Sequence, residues 1–374
     1  MKNRVALARC PNYDSERVDA SVEKVVNLLG GIESIIKPRS KVLIKPNLLL
    51  DCQPEECITT HPRVVESVIR LIKKTKSDIY LGDSPSVFGQ KRDFDRVYEV
   101  TGMKEVCDRQ GVKIVYFDKP VLKNGIPITD WIERCDCIVN VPKFKTHGFT
   151  KLTAGIKNLF GLVLGMHKVK MHKDYIDLKD FSQQLVDIFE FSKPVLTVVD
   201  AVVSLEGDGP GSAGTKIDTE LILASQDTVA IDSILASIMG IFPEDVLTTK
   251  EAKRRGLGES DLEHIDVVGE KLGEFIFSNF KLPKTSLAAS LPPMPSFLHE
   301  IIKRVFWHKM EVARGNCKAC KRCMEICPVE AIRLYNKKAL IDPKNCILCC
   351  CCQEICPYNA ITTRKSLLLK FIGV

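Results

Sequence analysis

Long apolar runs are absent from this 374-residue chain: no segment reaches the ~18 apolar residues that a membrane-spanning helix needs. The opening MKNRVALARC holds only a short apolar stretch, so no secretory signal is expected and the expected compartment is a reducing cytoplasm. Aromatic residues are scarce, at 7% with two tryptophans, and the basic C-terminal region has little aromatic interleaving, so a nucleic-acid surface is not expected. Hydrophobic residues at 45% and charged residues at 27% argue against disorder, and the length suits two or three domains. A further absence is local. From Lys143 to Lys173 there is no Asp or Glu, although the segment holds seven lysines and three histidines, His147, His167 and His172.

What the chain has in excess is cysteine. Of sixteen cysteines, ten fall between residues 317 and 356. Cys317, Cys320, Cys323 and Cys327 follow C-x2-C-x2-C-x3-C with Pro328 next, and Cys346, Cys349, Cys352 and Cys356 repeat the spacing with Pro357 next. Three cysteines at steps of three wrap a turn around one face of an iron–sulfur cubane, and the fourth lies too far along to close the same cluster easily. In two-cluster ferredoxins the fourth cysteine ligates the other cluster. Two [4Fe–4S] clusters are therefore expected, one on Cys317, Cys320, Cys323 and Cys356, the other on Cys346, Cys349, Cys352 and Cys327. A zinc ribbon would offer paired C-x2-C knuckles instead. Cys350 and Cys351 are surplus to the spacing and read as free thiols, with a ligand-swap or redox-sensing role as the alternative. Residues 301–374 carry 14 Lys/Arg against 5 Asp/Glu, while the first 300 carry 40 against 42. Lys318, Lys321 and Arg322 stand inside the first cysteine run, where positive charge favours a reduced cluster.

Upstream, apolar runs at 5–9, 41–46, 78–82, 113–117, 137–141 and 194–199 alternate with amphipathic stretches at 17–29, 62–74, 181–191 and 228–239. That is the pattern of an α/β domain built on a largely parallel sheet. The expected division is an α/β domain over 1–280, a linker and amphipathic helix over 281–314, and a small ferredoxin-like α+β two-cluster module with a C-terminal tail over 315–374. The helix is expected at 296–312, with Phe297, Ile301, Ile302, Val305 and Phe306 on its apolar side. It and the terminal SLLLKFIGV can either pack on the protein or rest on a membrane surface.

Ligands of parallel sheets gather at the carboxyl ends of strands. Lys45-Pro46-Asn47 closes the second run, Gly82-Asp83-Ser84-Pro85 the third, and the acid-free segment beginning Lys143-Phe144-Lys145-Thr146-His147 follows the fifth. The segment is either a solvated face or a part-buried pocket whose lysines require an anion. The glycine-rich loop from Glu206 to Gly211 can cradle a phosphate or form a tight turn. Asp83, Asp200, Asp208 and Asp232 with His61 are a weaker candidate set for a divalent cation.

IKPNLL at 44–49, TTHP at 59–62, GDSP at 82–85, VPKFKTH at 141–147, TAGIKNLFG at 153–161, EGDGPGSAGT at 206–215 and SQDTVAIDSILASIMG at 225–240 together resemble the domain of unknown function 362 family, in its form with a C-terminal two-cluster ferredoxin module. The resemblance implies cluster binding and no particular reaction. Its usual second run has a residue other than cysteine where Cys350 stands. Two readings follow. In the first, the clusters relay electrons between a redox partner protein and an anionic small molecule or cofactor held by Lys45, Asn47, Asp83, Lys143, Lys145, His147, Lys157 and Asn158. In the second, the chain is a non-catalytic electron carrier or cofactor-assembly factor for a partner enzyme.

Overall fold

Alternating apolar residues sort each strand's side chains onto two faces of a sheet. A computed structural model describes residues 3–85, 91–284 and 308–365 and shows this sorting strand by strand. In β1 (Arg4–Arg9), Ala6 and Ala8 enter one core while Val5 and Leu7 enter another. In β2 (Lys41–Pro46), Val42 and Ile44 join the first core and Leu43 a third. β3 (Asp78–Leu81) and the two-residue β4 (Lys113–Ile114) extend the sheet, and a hairpin of β5 (Pro120–Lys123) and β6 (Ile126–Thr129) stands apart from it. Then follow β7 (Cys137–Val141), β8 (Lys143–His147), β9 (Lys151–Thr153), β10 (Leu196–Gly207), β11 (Gly214–Ser225) and β12 (Asp266–Gly269).

The strand order is β12-β1-β11-β10-β7-β2-β3-β4, with β8 branching from β10 and pairing β9. Along the main path only β11 runs antiparallel to its neighbours, so the carboxyl ends of β2, β3 and β7 share one edge. Helices cover both faces. Ser15–Leu28 and Pro62–Lys73 bury Val18, Val22, Val64, Val65 and Val68 on one side. Leu178–Ser192 and Thr228–Ile238 bury Phe181, Leu185, Ile231 and Ile234 on the other. Three of these helices have side-chain caps on their first turns. His61 caps Arg63 ahead of Pro62, and Asp177 and Asp227 each accept two backbone N–H groups.

The cysteine module is a smaller α+β unit. β13 (His308–Val312) pairs antiparallel with β16 (Ile361–Lys365), and β14 (Ile332–Tyr335) pairs with β15 (Lys338–Ile341). Residues 308–312, expected as the end of a helix, are thus a strand. Met310 and Val312 alternate into the module's core, and the period of two prevails over the helical pattern there. The rest of that expected helix and the terminal SLLLKFIGV lie outside the described residues. Among the described residues no helix is long and apolar enough to cross a membrane. The expected strand at 113–117 is cut to two residues, while that at 194–199 grows to twelve because β11 pairs along its whole length.

The module docks on the sheet edge through one shared apolar cluster, in which Leu50, Ile58, Val169 and Leu205 meet Ile326, Cys349, Cys351 and Ile355. Each such buried aliphatic side chain contributes ~1.5–3 kcal/mol, more than the ~0–1 kcal/mol of an exposed ion pair. The Arg322 fork on Asp51, at 2.7 and 3.0 Å, adds orientation. The glycine-rich loop joins β10 to β11 and is a docking turn. Ser212 donates to the Cys356 carbonyl, and a Cβ at Gly211 would stand 2.6 Å from the Glu354 carbonyl oxygen.

That contact is with backbone and cannot yield. Gly211→Ala is expected to raise amide exchange over residues 353–356 while leaving exchange in β2 unchanged. Unchanged exchange at both places would show that the loop does not hold the module.

Candidate functional site

At the shared sheet edge lies a cavity of about 80 Å³. With about 10–15 Å³ of such volume needed per water, it has room for several waters or a small ion. Lys45 reaches it from the end of β2 with Asn47 just beyond, and Asp83 follows β3. Lys145 and His147 come from β8, and Lys157 and Asn158 from the short helix Gly155–Asn158. The wall is completed by Lys168 and His172, one helical turn apart on His167–Asp174, and by Ile326, Cys351 and Glu354 of the cysteine module. The structure therefore brings seven of the eight residues expected for an anionic ligand to one cavity.

Lys143 is placed elsewhere. Its ammonium bonds Asp200 at 3.0 Å and the Tyr13 hydroxyl at 2.6 Å, under a stacked Tyr13–His61 pair. This fully buried ion pair satisfies itself and needs no external anion. The suggested cation ligands are likewise dispersed. Asp83 is in the cavity, Asp208 bonds Lys284, and Asp232 accepts the Gly155 and Ile156 amides. Among the described residues, no group of three or more His, Cys, Asp or Glu side chains could hold a single metal ion.

The charges in the cavity do not balance. Lys45 is paired with Asp83 at 2.8 Å, and its pKa is still lowered because it is buried. Gly161 makes room for that pair, since a Cβ there would fall 2.7 Å from the Lys45 ammonium. Lys145 donates to the Ile58 carbonyl at 2.5 Å, and burial lowers its pKa to about 7. Lys168 donates to the Ser84 carbonyl and is lowered by burial to about 8. Lys157 lies over the Phe160 ring, 4.6 Å from ammonium to centroid. Against these four lysines stand two carboxylates, Asp83 and Glu354. Burial raises the Glu354 pKa, but His147 and Lys157 outweigh it and hold the group down to about 2. The histidines add no cation. His147 accepts from the Phe149 and Thr150 amides through Nδ1, which puts its proton on Nε2, facing Glu354 Oε1 at 3.2 Å. His172 stacks on Phe181 and is lowered to about 3 by burial.

Several polar atoms of this wall also lack hydrogen-bond partners: Asn47 Oδ1, Thr153 Oγ1 and His172 Nδ1. Buried polar groups are normally satisfied, so this concentration marks a polar occupant. Thr153, Lys168 and Glu354 were not singled out from the sequence, and His172 and Cys351 were noted there without being placed among the ligand-binding residues. The turn spacing of Lys168 and His172 was a usable signal. Glu354 offered none, because only docking makes it part of the site.

The cysteines gather into two separate cavities. Cys317, Cys320, Cys323 and Cys356 line one, and Cys327, Cys346, Cys349 and Cys352 line the other, with Cys350 among them. A thiol quartet around a space, instead of three ligands converging on one ion, fits a cubane with an iron at each corner. The backbone repeats with the sequence. Ala319 and Leu348, Lys321 and Cys350, and Glu330 and Asn359 occupy matching left-handed positions. Ala331 and Ala360 donate N–H bonds to the sulfurs of Cys327 and Cys356 at 3.2 and 3.4 Å. Cys350 thus takes the turn position held by Lys321 in the first half, while Cys351 faces the lysine cavity.

A family model described as a domain of unknown function (DUF362) matches residues 42–237, and one described as a 4Fe-4S binding domain matches residues 310–333. The thylakoid-associated protein sll1697 of Synechocystis sp. is 30% identical over 317 residues, covering 82% of this chain and 95% of that protein. Among solved structures, the lactate racemase apoprotein from Thermoanaerobacterium thermosaccharolyticum aligns with a TM-score of 0.42 at 12% identity, over 64% of this chain and 58% of that chain. A protein from Thermotoga maritima aligns with a TM-score of 0.33 at 13% identity, over 53% of this chain and 52% of that chain.

Because Lys145 is held near 7, the unfolded chain binds a proton there that the folded chain does not, from about pH 7 up to the ordinary lysine range. Stability from this group therefore rises with pH across that window. The Tm of the wild type is expected to rise relative to that of Lys145→Met between pH 7 and 9. A pH-independent difference would show that Lys145 titrates normally.

Proposed function

The chain belongs to the DUF362 family and carries a 4Fe-4S binding, electron-transfer domain, and from that premise we propose that it relays electrons between a redox partner protein and an anionic ligand bound at the sheet edge. The observation that supports this reading is the shared wall. Ile326 and Cys351, which flank ligands of the second cysteine quartet, and Glu354 close the same cavity that collects Lys45, Lys145, Lys157 and Lys168. Two [4Fe–4S] clusters are proposed. Cys317, Cys320, Cys323 and Cys356 hold the outer one, and Cys346, Cys349, Cys352 and Cys327 hold the one beside the cavity. Cys320 is exposed, with Lys318 and Lys321 exposed around it, so the outer cluster is the one a partner reaches. With clusters bound, Cys317, Cys320, Cys323 and Cys356 would hold one where an external one-electron donor protein could reach it, and Cys346, Cys349, Cys352 and Cys327 would hold the other beside the cavity, so the pair would supply one-electron transfer to or from the bound ligand.

Asn47, Asn158 and the lysines hold and orient the ligand. Asp83 fixes Lys45, and its carboxylate accepts the Leu48 and Ser84 amides at 2.7 Å each. His147 and Glu354 tie the cavity to the cluster-bearing helix. The cytoplasm is the proposed compartment.

Anaerobic reconstitution is expected to yield roughly eight iron and eight sulfide per chain. In Cys356→Ser, EPR should lose the signal of the cluster built on Cys317, Cys320 and Cys323; loss confined to the other cluster would overturn the exchanged ligation. Mass spectrometry of anaerobically purified protein is expected to find a retained anion, and Lys157→Gln to release it. Affinity for added inorganic phosphate should fall as pH rises through about 7 to about 8, where Lys145 and Lys168 lose their protons. No anion at any pH, together with cluster potentials indifferent to Lys157→Gln, would instead assign the chain to the electron carriers or assembly factors.

A further inference from the structure

The buried cavity does not stand alone. Asp83 and Ser84 also belong to the wall of an open cleft of about 500 Å³, so the two spaces adjoin at the end of β3. Sites for small organic ligands occupy about 300–1,000 Å³ and are mostly apolar with a few placed polar groups. The cleft alone meets that description, whereas the cavity of about 80 Å³ suits an anionic group. Asp83 and Ser84 stand in both walls, so a ligand lying in the cleft can extend into the cavity at this point.

The cleft is lined by Phe94, Tyr116, Phe117, Leu164 and Met166, with Asp118 and His167 exposed among them. Two of the rings are held in place. The Tyr116 hydroxyl is bonded to Asp95, and a Cβ at Gly82 would fall 2.7 Å from the Phe117 ring, so this glycine lets the ring lie against the strand end. Met166 is 47% exposed, an adaptable apolar side chain left facing solvent beside them. Gly165 ties the two spaces together, since its amide donates to Ser84 Oγ at 3.1 Å while Ser84 O accepts from Lys168. The segment that presents Met166 to the cleft thereby presents Lys168 to the cavity.

The geometry points to a ligand of two parts: an anionic head seated among Lys145, Lys157 and Lys168, and a flat, largely aromatic body lying in the cleft against Phe94, Phe117 and Met166. This rests on the anion-site reading above and adds the class of molecule that carries the anion. A free inorganic anion would leave the cleft unused, and a neutral aromatic would leave the lysines without their counter-charge. In the two-part ligand the head anchors within reach of the inner cluster's wall, and the body supplies selectivity through ring burial.

Calorimetry on the full, cluster-loaded chain under anaerobic conditions tests this with inorganic phosphate, 1-naphthyl phosphate and 1-naphthol. Naphthyl phosphate is expected to bind tighter than phosphate by roughly tenfold or more, the yield of burying a ring's worth of apolar surface. Met166→Ala and Phe94→Ala should erode that advantage while phosphate affinity holds, and Lys157→Gln should weaken both phosphates. Met166 is exposed enough that its truncation leaves the fold intact, which an unchanged EPR spectrum checks. Equal affinity for phosphate and naphthyl phosphate overturns the two-part ligand and leaves the anion site standing. Naphthol binding as tightly as its phosphate overturns the seating of the head. Failure of every anion to bind overturns the anion site and this inference together.

Discussion

Four lysines facing one small buried space, with two carboxylates to balance them, form the constraint on which the rest of the site depends. Burying like charges costs several kcal/mol per ion unless partners are supplied, and the protein supplies them from three directions. Asp83 arrives from the sheet and takes Lys45. Backbone carbonyls of Ile58 and Ser84 take Lys145 and Lys168, which yield part of their basicity. Glu354 arrives from a different module altogether. What is left over is positive charge and a set of unsatisfied oxygens and nitrogens, and the proposed anionic ligand answers both.

Because one counter-charge comes from the cysteine module, the lysine cavity and the cysteine module share one wall. The apolar cluster of Leu50, Ile58, Val169 and Leu205 with Ile326, Cys351 and Ile355 supplies the docking energy. Gly211, Ser212 and the Arg322–Asp51 fork supply its register. The position of Cys351 follows from this. In the repeated backbone of the two cysteine runs, the surplus pair falls at a turn position and at the first residue of the helix Cys351–Glu354. Docking turns that helix start toward the lysines, so one extra thiol lies beside the inner quartet and the other on the cavity wall.

Much of this was legible in the chain. Strand and helix positions followed from period-two and period-3.6 patterning, and β2, β7 and the helix beginning at Pro62 start where the patterns say. The strand-end rule found Lys45, Asn47 and Asp83, because a parallel sheet has to present those positions at one edge. Lys143 was grouped with Lys145 on proximity in sequence. Its β10 partner is Asp200 and that of Lys145 is Leu205, so the register breaks between them and the two ammoniums part company. Residues 308–312, expected as the end of a helix, form a strand because pairing with β16 rewards the alternation of Met310 and Val312.

By itself the sequence determined the chemistry carried: cysteine spacing is local, and a C-x2-C-x2-C turn selects a cubane whatever surrounds it. It also determined the sheet, and it left the acid-free stretch from Lys143 to Lys173 as either a solvated face or a part-buried pocket whose lysines require an anion. Only the tertiary structure decided which. Glu354 lies some two hundred residues from the lysines it faces, in a helix whose own neighbours are cysteines, and Phe94, Phe117 and Met166 reach one cleft from three separate segments. Burial and charge pairing act through space, and space is assigned when the module docks on the sheet edge.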